Sequence, residues 1–456
     1  MFVPEELEEL AELFHKKKKP LYIVGGYVRS QILGTGVEDD IDLCSAMLPK
    51  DVLKLLLGTP FVARIMNERT GVVEIEINGL RFEHATFRTE KYAILGEHMP
   101  CEVEFIDSLE KDAERRDFTC NAIYYDIYSS EIIDPLGGVD DIKNKVLRGA
   151  ISPKFLFVND SERILRMVRH ACCCGFEIDN ETYSAAIDNV SKLKYLTSAR
   201  VRKEIDRILI ADLKYPSLHL FGEHIRAVNM LYEIGALAIL FPRLDAALSA
   251  NCTMHGGSVA QDYLSFLLLQ ATPNVRMPAL LAICGSDGYA KDGITQKGYA
   301  KESAFEAEEQ LKVLGYSPKT IRMVSTCVGL FECFSYDKLA LSEARQVVLQ
   351  NEDYFDELVD FALAARSAYV NHKVEGSHSI QNLVLARKQK NSKIFASNRN
   401  QIDISNEDIA VIGKLSPEQI AKIKDELLLL GAKKGDILSR KENVAAAKKI
   451  AKSMLK

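Results

Sequence analysis

Along the first third of the chain, apolar and polar positions alternate. LYIV (21–24), DIDL (40–43), VVEIEI (72–77), LRFEHATF (80–87), VEFI (103–106) and AIYYDIY (122–128) are alternating, β-branched or aromatic runs. Such runs predict strands. Gly25-Gly26, Asn78-Gly79 and Gly137-Gly138 cut between them as turns. From about residue 155 the period changes. RILRMVRHACCC (163–174), EIDRILI (204–210), the stretch 219–241 and DYLSFLLLQ (262–270) place apolar residues three and four apart, which predicts helices. Pro216, Pro242, Pro273, Pro278, Pro318 and Pro417 punctuate them. The expected architecture is α+β: a head with a mixed β-sheet over 1–150, then a mainly helical neck over 151–240, then a helical body and tail over 241–456. No repeat of 20–50 residues is visible.

Composition narrows the class. The chain has 456 residues, 47% hydrophobic and 27% charged, which is ordinary for a globular protein of about three domains. No apolar run approaches the roughly 20 residues of a membrane span. The N-terminal MFVPEELEELAELFHKKKKP is an acidic helix pattern, not the basic-then-apolar order of a secretory signal. Lys16–Lys19 would complement the dipole at that helix's C-terminus. A cytoplasmic, membrane-free protein is expected. The net charge of −6 excludes indiscriminate coating of nucleic acid, but not RNA binding through a local basic face. The last 25 residues carry eight Lys or Arg against Asp436 and Glu442, a solvated helix face or a phosphate-contacting tail. The ten cysteines form no CxxC pair, and Cys172–Cys174 read as small buried thiols in a reducing compartment.

Several segments carry chemistry. In LYIVGGYVRSQILG (21–34) a strand runs through Gly25-Gly26 into a short helix closing at Gly34. Two glycines allow close approach of an anion to the helix's unpaired amides, and Arg29 on the first turn reaches the same phosphates. Neither GxGxxG nor GxxxxGK[ST] is present. In EDDIDLCSA (38–46), Asp40 and Asp42 project from one face of the expected strand, while Asp39 and Ile41 face the other way. Two adjacent carboxylates suit a hard divalent cation such as Mg²⁺, and phosphoryl or nucleotidyl transfer is the matching chemistry. Glu83 is a candidate third carboxylate, with Arg88 and Lys91 following in a polar loop. In EKDAERRDFTCNAIYYD (110–126), one of Arg115 and Arg116 pairs with Asp117 and the other points at a ligand, unless both are structural.

In VNDSERILRMVRHACCCGFEID (158–179), Asp160 caps a helix that Gly175 ends. Ile164, Leu165, Val168 and Cys172 form its buried face. Asp160, Arg163, Arg166 and Arg169 recur every three residues, a stripe turning about 60° per step. Three arginines and an aspartate suit a planar, anionic ligand; an interdomain salt-bridge helix is the structural alternative. One Asp–Arg set matches the donor and acceptors of cytosine, and with a small tilt those of adenine. It mismatches the keto groups of G and U, and a good bidentate pair discriminates by roughly 1–3 kcal/mol.

Together these segments resemble the class II tRNA nucleotidyltransferases, the CCA-adding enzymes, and their bacterial poly(A) polymerase relatives. GGYVR resembles the family's GGxVRD, DDIDL its DxD, RRDFTCNA its RRDFTxNA, and NDSERILRMVRHACCCGFEID its EDxxRxxRxxRFxxxxGF. FEHATFRTE is similar to the stretch before the family's flexible loop, and IDPLGGVDDI to the end of its head. The motifs stand in the family's order over about residues 20–180; beyond about 240 the likeness is only a helical body and tail.

The resemblance implies that Gly26 and Arg29 contact the triphosphate and that Asp40 and Asp42 hold Mg²⁺, with Glu83 assisting. It implies that Arg116, Asp160 and Arg163 bind the nucleotide, the last two as an amino-acid template for the base. Arg166 and Arg169 would support that helix and the phosphates. The implied reaction adds C, C and A to tRNA 3′ ends from CTP and ATP without a nucleic-acid template. tRNA is the expected partner, DNA is not. Poly(A) addition, partial CC or A addition, and a non-catalytic RNA-binding protein on a transferase scaffold are the alternatives. An intact loop at about 88–100 leans towards the full enzyme. Ser30 stands where the family has Asp, Asn159 where it has Glu, and His170 where it has Phe. No HD dipeptide occurs, so the phosphohydrolase domain of some relatives is not expected.

Overall fold

The computed structural model describes residues 1–36, 40–92, 100–249, 253–254, 257–285, 299–334, 338–371, 378–392, 394–413 and 415–454. The chain forms two compact units, Met1–Pro242 and Arg243–Lys456. The first takes in both the head and the neck segments.

Its strands, in chain order, are β1 (Tyr22–Val24), β2 (Asp42–Ser45), β3 (Val62–Asn67), β4 (Val72–Ile77), β5 (Leu80–Thr86), β6 (Arg88–Lys91), β7 (Glu102–Phe105), β8 (Tyr124–Asp126) and β9 (Glu131–Ile133). Seven make one sheet in the order β3-β4-β5-β2-β1-β8-β9; β6 and β7 pair separately. Only β2–β5 is parallel within the seven, so the sheet is mixed as expected. Strict alternation makes β4 a half-buried strand, with Val73, Ile75 and Ile77 inward. The parallel register sets Asp42 opposite Glu83 and Leu43 opposite His84. On the buried side of that pair, Ser45 Oγ and His84 Nε2 are hydrogen-bonded at 2.8 Å. Three strands escape a hydrophobicity reading. β3 is an edge strand whose side chains are mostly exposed, β6 is the polar Arg-Thr-Glu-Lys expected as loop, and β9 is a three-residue edge.

The helices of this unit that matter for the site are α1 (Glu5–Lys16), α2 (Gly26–Leu33), α3 (Leu109–Glu114), α4 (Pro153–Asn159), α5 (Glu162–Cys174) and α6 (Ser198–Ile208). In α1, Glu5, Glu6 and Glu8 lie in the first turn and His15 and Lys16 in the last, both favourable to the dipole. Its Leu7, Leu10, Ala11 and Phe14 are buried. α5 buries Ile164, Leu165, Val168 and Cys172, as its spacing predicts, and ends at Gly175 with φ of 64°. Cys172, Cys173 and Cys174 are all buried. Burial pushes the Cys173 thiol up to about 12. The side chains of Cys252 and Cys333 lie outside the described residues.

The second unit is largely helical. Pro318 and Pro417 each open a helix at its first turn, where a missing amide costs nothing. Ser416 caps the helix Pro417–Lys434 with Gln419 reaching back. Ile409, Ile423, Leu427, Ala447 and Ile450 form one of its cores. Of the eight tail cations, Lys434 bonds Glu442 and Arg440 bonds Asp408. No described helix is long and apolar enough to cross a membrane.

Candidate active site

One cavity in the first unit, about 660 Å³, gathers most of the residues singled out from sequence. Gly25, Gly26, Arg29, Asp40, Asp42, Arg116, Asp160, Arg163, Arg166 and Arg169 all line it. Nine Arg or Lys side chains line it against six Asp or Glu, a balance that suits a polyanion.

The first wall is the β1–α2 turn with the start of β2. Gly25 has φ of 84° and ψ of −135°, a conformation essentially closed to other residues. A Cβ built there would lie 3.6 Å from Asp42 Oδ2, so the carboxylate stands directly over the turn. α2 begins at Gly26, leaving its first amides without intrahelical partners beside that carboxylate. Asp40 and Asp42 are both exposed. β2 begins at Asp42, two residues later than expected, so Asp40 approaches through coil and the i, i+2 strand argument does not place it. Ile41 is half-buried, and Asp39 lies outside the described residues. Among the described residues no group of three His, Cys, Asp or Glu has metal-ligating geometry. Asp40 and Asp42 are the two hard carboxylates on this wall that could hold a divalent cation.

Arg29 is 4% exposed. Its Nη1 donates to Asn121 Oδ1 and its Nη2 to the Tyr215 hydroxyl at 2.9 Å, both neutral. Its Nε has no hydrogen-bond partner among the described residues. A buried cation among neutral acceptors at a cavity wall favours an anionic ligand nearby. Ser30, in place of the family's Asp, donates to the Tyr27 carbonyl at 2.8 Å within its own helix.

The second wall is α5. Asp160 and Arg163 are each 6% exposed. Asp160 accepts the Glu162 amide at 3.0 Å, and Arg163 donates to the Arg115 carbonyl at 2.6 Å. Arg166 donates to Asp117 Oδ2, through Nε at 2.8 Å and through Nη2. Arg169 donates to Glu204 of α6 at 2.6 Å. Burial opposes ionisation of Asp117, but Arg166, His170 and the Asn121 amide hold its carboxyl well below the usual carboxylate range. His170 packs edge-on to Phe118 at 5.8 Å between ring centroids.

Two expectations change here. Neither Arg115 nor Arg116 pairs with Asp117; that acid belongs to Arg166. Both arginines turn to Asp112, which accepts Arg115 Nε at 2.7 Å, Arg116 Nη2 at 3.1 Å and the Tyr124 hydroxyl at 2.8 Å. Burial raises the Asp112 pKa, but the two guanidinium groups and Tyr124 win and bring it to about 2. One helical turn explains the exchange: Asp112 sits three and four residues before the arginines. The second change concerns the supposed polar loop. Arg88 bonds Glu90 at 2.7 Å and the Thr70 carbonyl at 2.9 Å on β6, while Lys91 pairs with Glu102. Lys91 does not line the cavity, and residues 93–99 of the 88–100 loop are outside the described residues.

Sequence reasoning missed the acids, hydroxyls and amide behind the arginines: Asp112, Glu90, Tyr92, Asn121, Glu204 and Tyr215. Asp112 was open to discovery from its spacing to Arg115 and Arg116. Glu204 and Tyr215 are distant in sequence and carried no signal.

Known proteins resemble this chain in sequence over part of its length and in fold. Residues 21–148 match the family described as Poly A polymerase head domain, and residues 175–248 match the probable RNA and SrmB-binding site of polymerase A. A CCA-adding enzyme of Geobacillus sp. (strain WCH70) is 34% identical over 202 residues, 44% of this chain and 48% of the relative. One of Streptococcus gordonii is 32% identical over 212 residues, 46% of this chain and 51% of the relative. The matched stretch thus spans about half the length of these curated relatives. The crystal structure of Bacillus stearothermophilus CCA-adding enzyme in complex with CTP shares the fold with a TM-score of 0.66 at 18% identity, covering 100% of this chain and 99% of that one. The Thermotoga maritima CCA-adding enzyme complexed with tRNA gives 0.56 at 18% identity, covering 99% and 96%. The head and most of the neck are thus similar to the poly A polymerase domains and to CCA-adding enzymes, the likeness that the sequence motifs imply.

Proposed function

We propose that this chain is a cytoplasmic CCA-adding enzyme, a Mg²⁺-dependent transferase that extends tRNA 3′ ends with C, C and A from CTP and ATP. One observation carries the reading: the carboxylates Asp40 and Asp42 and the pair Asp160 and Arg163 line the same cavity. In the reaction the terminal 3′ hydroxyl oxygen bonds to the α-phosphorus, its proton is lost, and pyrophosphate leaves. Asp40 and Asp42 would hold Mg²⁺, which when bound stabilises charge on the attacking and leaving oxygens. Gly25 and Gly26 admit the triphosphate close to the backbone, and Arg29 supplies positive charge behind it. Asp160 accepts from an exocyclic amino group while Arg163 donates to the adjacent ring acceptor. Arg166 and Arg169, fixed by Asp117 and Glu204, keep the reading helix in place and add positive charge. Arg116, fixed by Asp112, lines the nucleotide's side of the cavity.

The test is incorporation of labelled CTP and ATP by the full chain on tRNA lacking CCA. C uptake that stops after two residues, followed by one A, is expected. Long A tails without C uptake contradict the reading and favour poly(A) addition. Uptake of neither nucleotide, with RNA still bound, favours a non-catalytic scaffold.

A further inference from the structure

One part of the cavity lining has no role in the reading above. Arg207 in the last turn of α6, Ile210, and Leu213 at the end of the following 3₁₀ turn all face it. They are three residues apart. The Ile210 amide donates to the Arg207 carbonyl at 3.4 Å and the Leu213 amide to the Ile210 carbonyl at 3.0 Å. Three residues per turn align such side chains on one face. Ile210 is 43% exposed and Leu213 47%, two bulky aliphatics left in water beside an otherwise charged wall. Lys214 lines the cavity next to them. The neighbouring Tyr215 is fully buried and bonds Arg29, which anchors this lip to the helix behind the glycine turn.

We propose that this lip seats the 3′-terminal nucleotide of the acceptor RNA, with its base on Ile210 and Leu213 and its phosphate beside Arg207 and Lys214. The inference rests on the transferase reading and assigns the second substrate's place within it. A transferase cavity must admit two nucleotides, the incoming one and the chain end. Asp160 and Arg163 are polar and read base edges. Ile210 and Leu213 offer no donor or acceptor, so they contact any base through its apolar face and discriminate none. That blindness suits an acceptor whose last base changes after every addition. The two cations match the acceptor's phosphates without reading sequence.

The test uses the full chain and tRNA lacking CCA that ends in 4-thiouridine, with crosslinked peptides mapped by mass spectrometry. It is paired with kinetics of the Ile210→Ser, Leu213→Ser double variant. Crosslinks should fall on residues 207–214. The variant should raise the RNA KM by about 10-fold for acceptors ending in any base, the scale of one lost base contact, while the CTP KM stays put. Ile210→Val with Leu213→Met should restore the RNA KM. Crosslinks confined to α5 or the sheet overturn the proposal, as does a rise in CTP KM with RNA KM unchanged, which would make the lip part of the incoming nucleotide's seat. Lip crosslinks without any nucleotide transfer keep the RNA seat and overturn the transferase reading. Transfer with crosslinks elsewhere overturns the seat alone.

Discussion

The cavity's two walls are built in opposite ways. On the sheet side, Asp40 and Asp42 are exposed and Gly25 leaves room directly under a carboxylate oxygen. On the helix side, Arg163, Arg166 and Arg169 are each tied to a second group, namely the Arg115 carbonyl, Asp117 and Glu204. The contrast matches the two tasks proposed above. Groups that meet a cation and a reacting phosphate must be reachable from the cavity. Groups that measure a base need fixed directions, because a hydrogen-bond reader with loose arginines accepts any partner.

The comparison breaks most visibly at Asp42. Asp42→Ala should lower kcat on the order of 10²–10³-fold, the scale of losing one preorganised electrostatic stabiliser. The melting temperature should hold, because the side chain is exposed; a large fall in both would mean that the sheet wall is structural after all. The reverse pattern is expected on the helix wall. Asp117→Asn leaves the half-buried Arg166 guanidinium without its acid and should cost about 2 kcal/mol in a urea titration of the full chain, the scale of a hydrogen bond to a charged group. Unchanged stability would show that α5 does not depend on that ion pair.

Next in size is Asp160→Ala. Preference for CTP over UTP should fall by about 10-fold or more, read as a ratio of kcat/KM values, with total uptake less affected. Retained preference would put the reader elsewhere. A comparable effect, read in stability rather than activity, is a pH dependence in the sheet that carries Asp42. Burial holds the His84 imidazole down to about 3 against an ordinary 6.5. A depressed value means the stabilisation is complete above about pH 6.5 and is lost as pH falls towards 3. By pH 5 the loss should be roughly 2 kcal/mol, and His84→Asn should flatten that slope between pH 6.5 and 5. An equal slope in the variant would assign it to other groups.

Much of this was legible from sequence. The glycine turn and the three-residue arginine stripe are local patterns, so spacing carried them; the acidic pair was visible as residues, but Asp40 reaches the cavity through coil rather than by strand spacing. β4 was readable because one face, Val73, Ile75 and Ile77, is apolar, and β5 because its positions largely alternate between buried and exposed. The edge strand β3 and the charged β6 were not, since their partners rather than their own hydrophobicity hold them. The same division runs through the site. Arg166 announced itself, but its acid was misassigned, because Asp117 is adjacent to Arg116 in sequence and to Arg166 in space. Glu204 and Tyr215, brought in from α6 and beyond, have no local signature. Contacts of high sequence separation decide which charges are paired, and pattern reading does not see them.

The central claim, that Asp160 and Arg163 sense base identity while the sheet wall does not, is tested most directly by equilibrium binding of CTP, ATP, GTP and UTP without RNA. The full chain should hold CTP and ATP about 10-fold or more tightly than GTP and UTP, and the Asp160→Ala, Arg163→Ala double variant should bind all four alike. Selectivity that survives the double substitution contradicts the account.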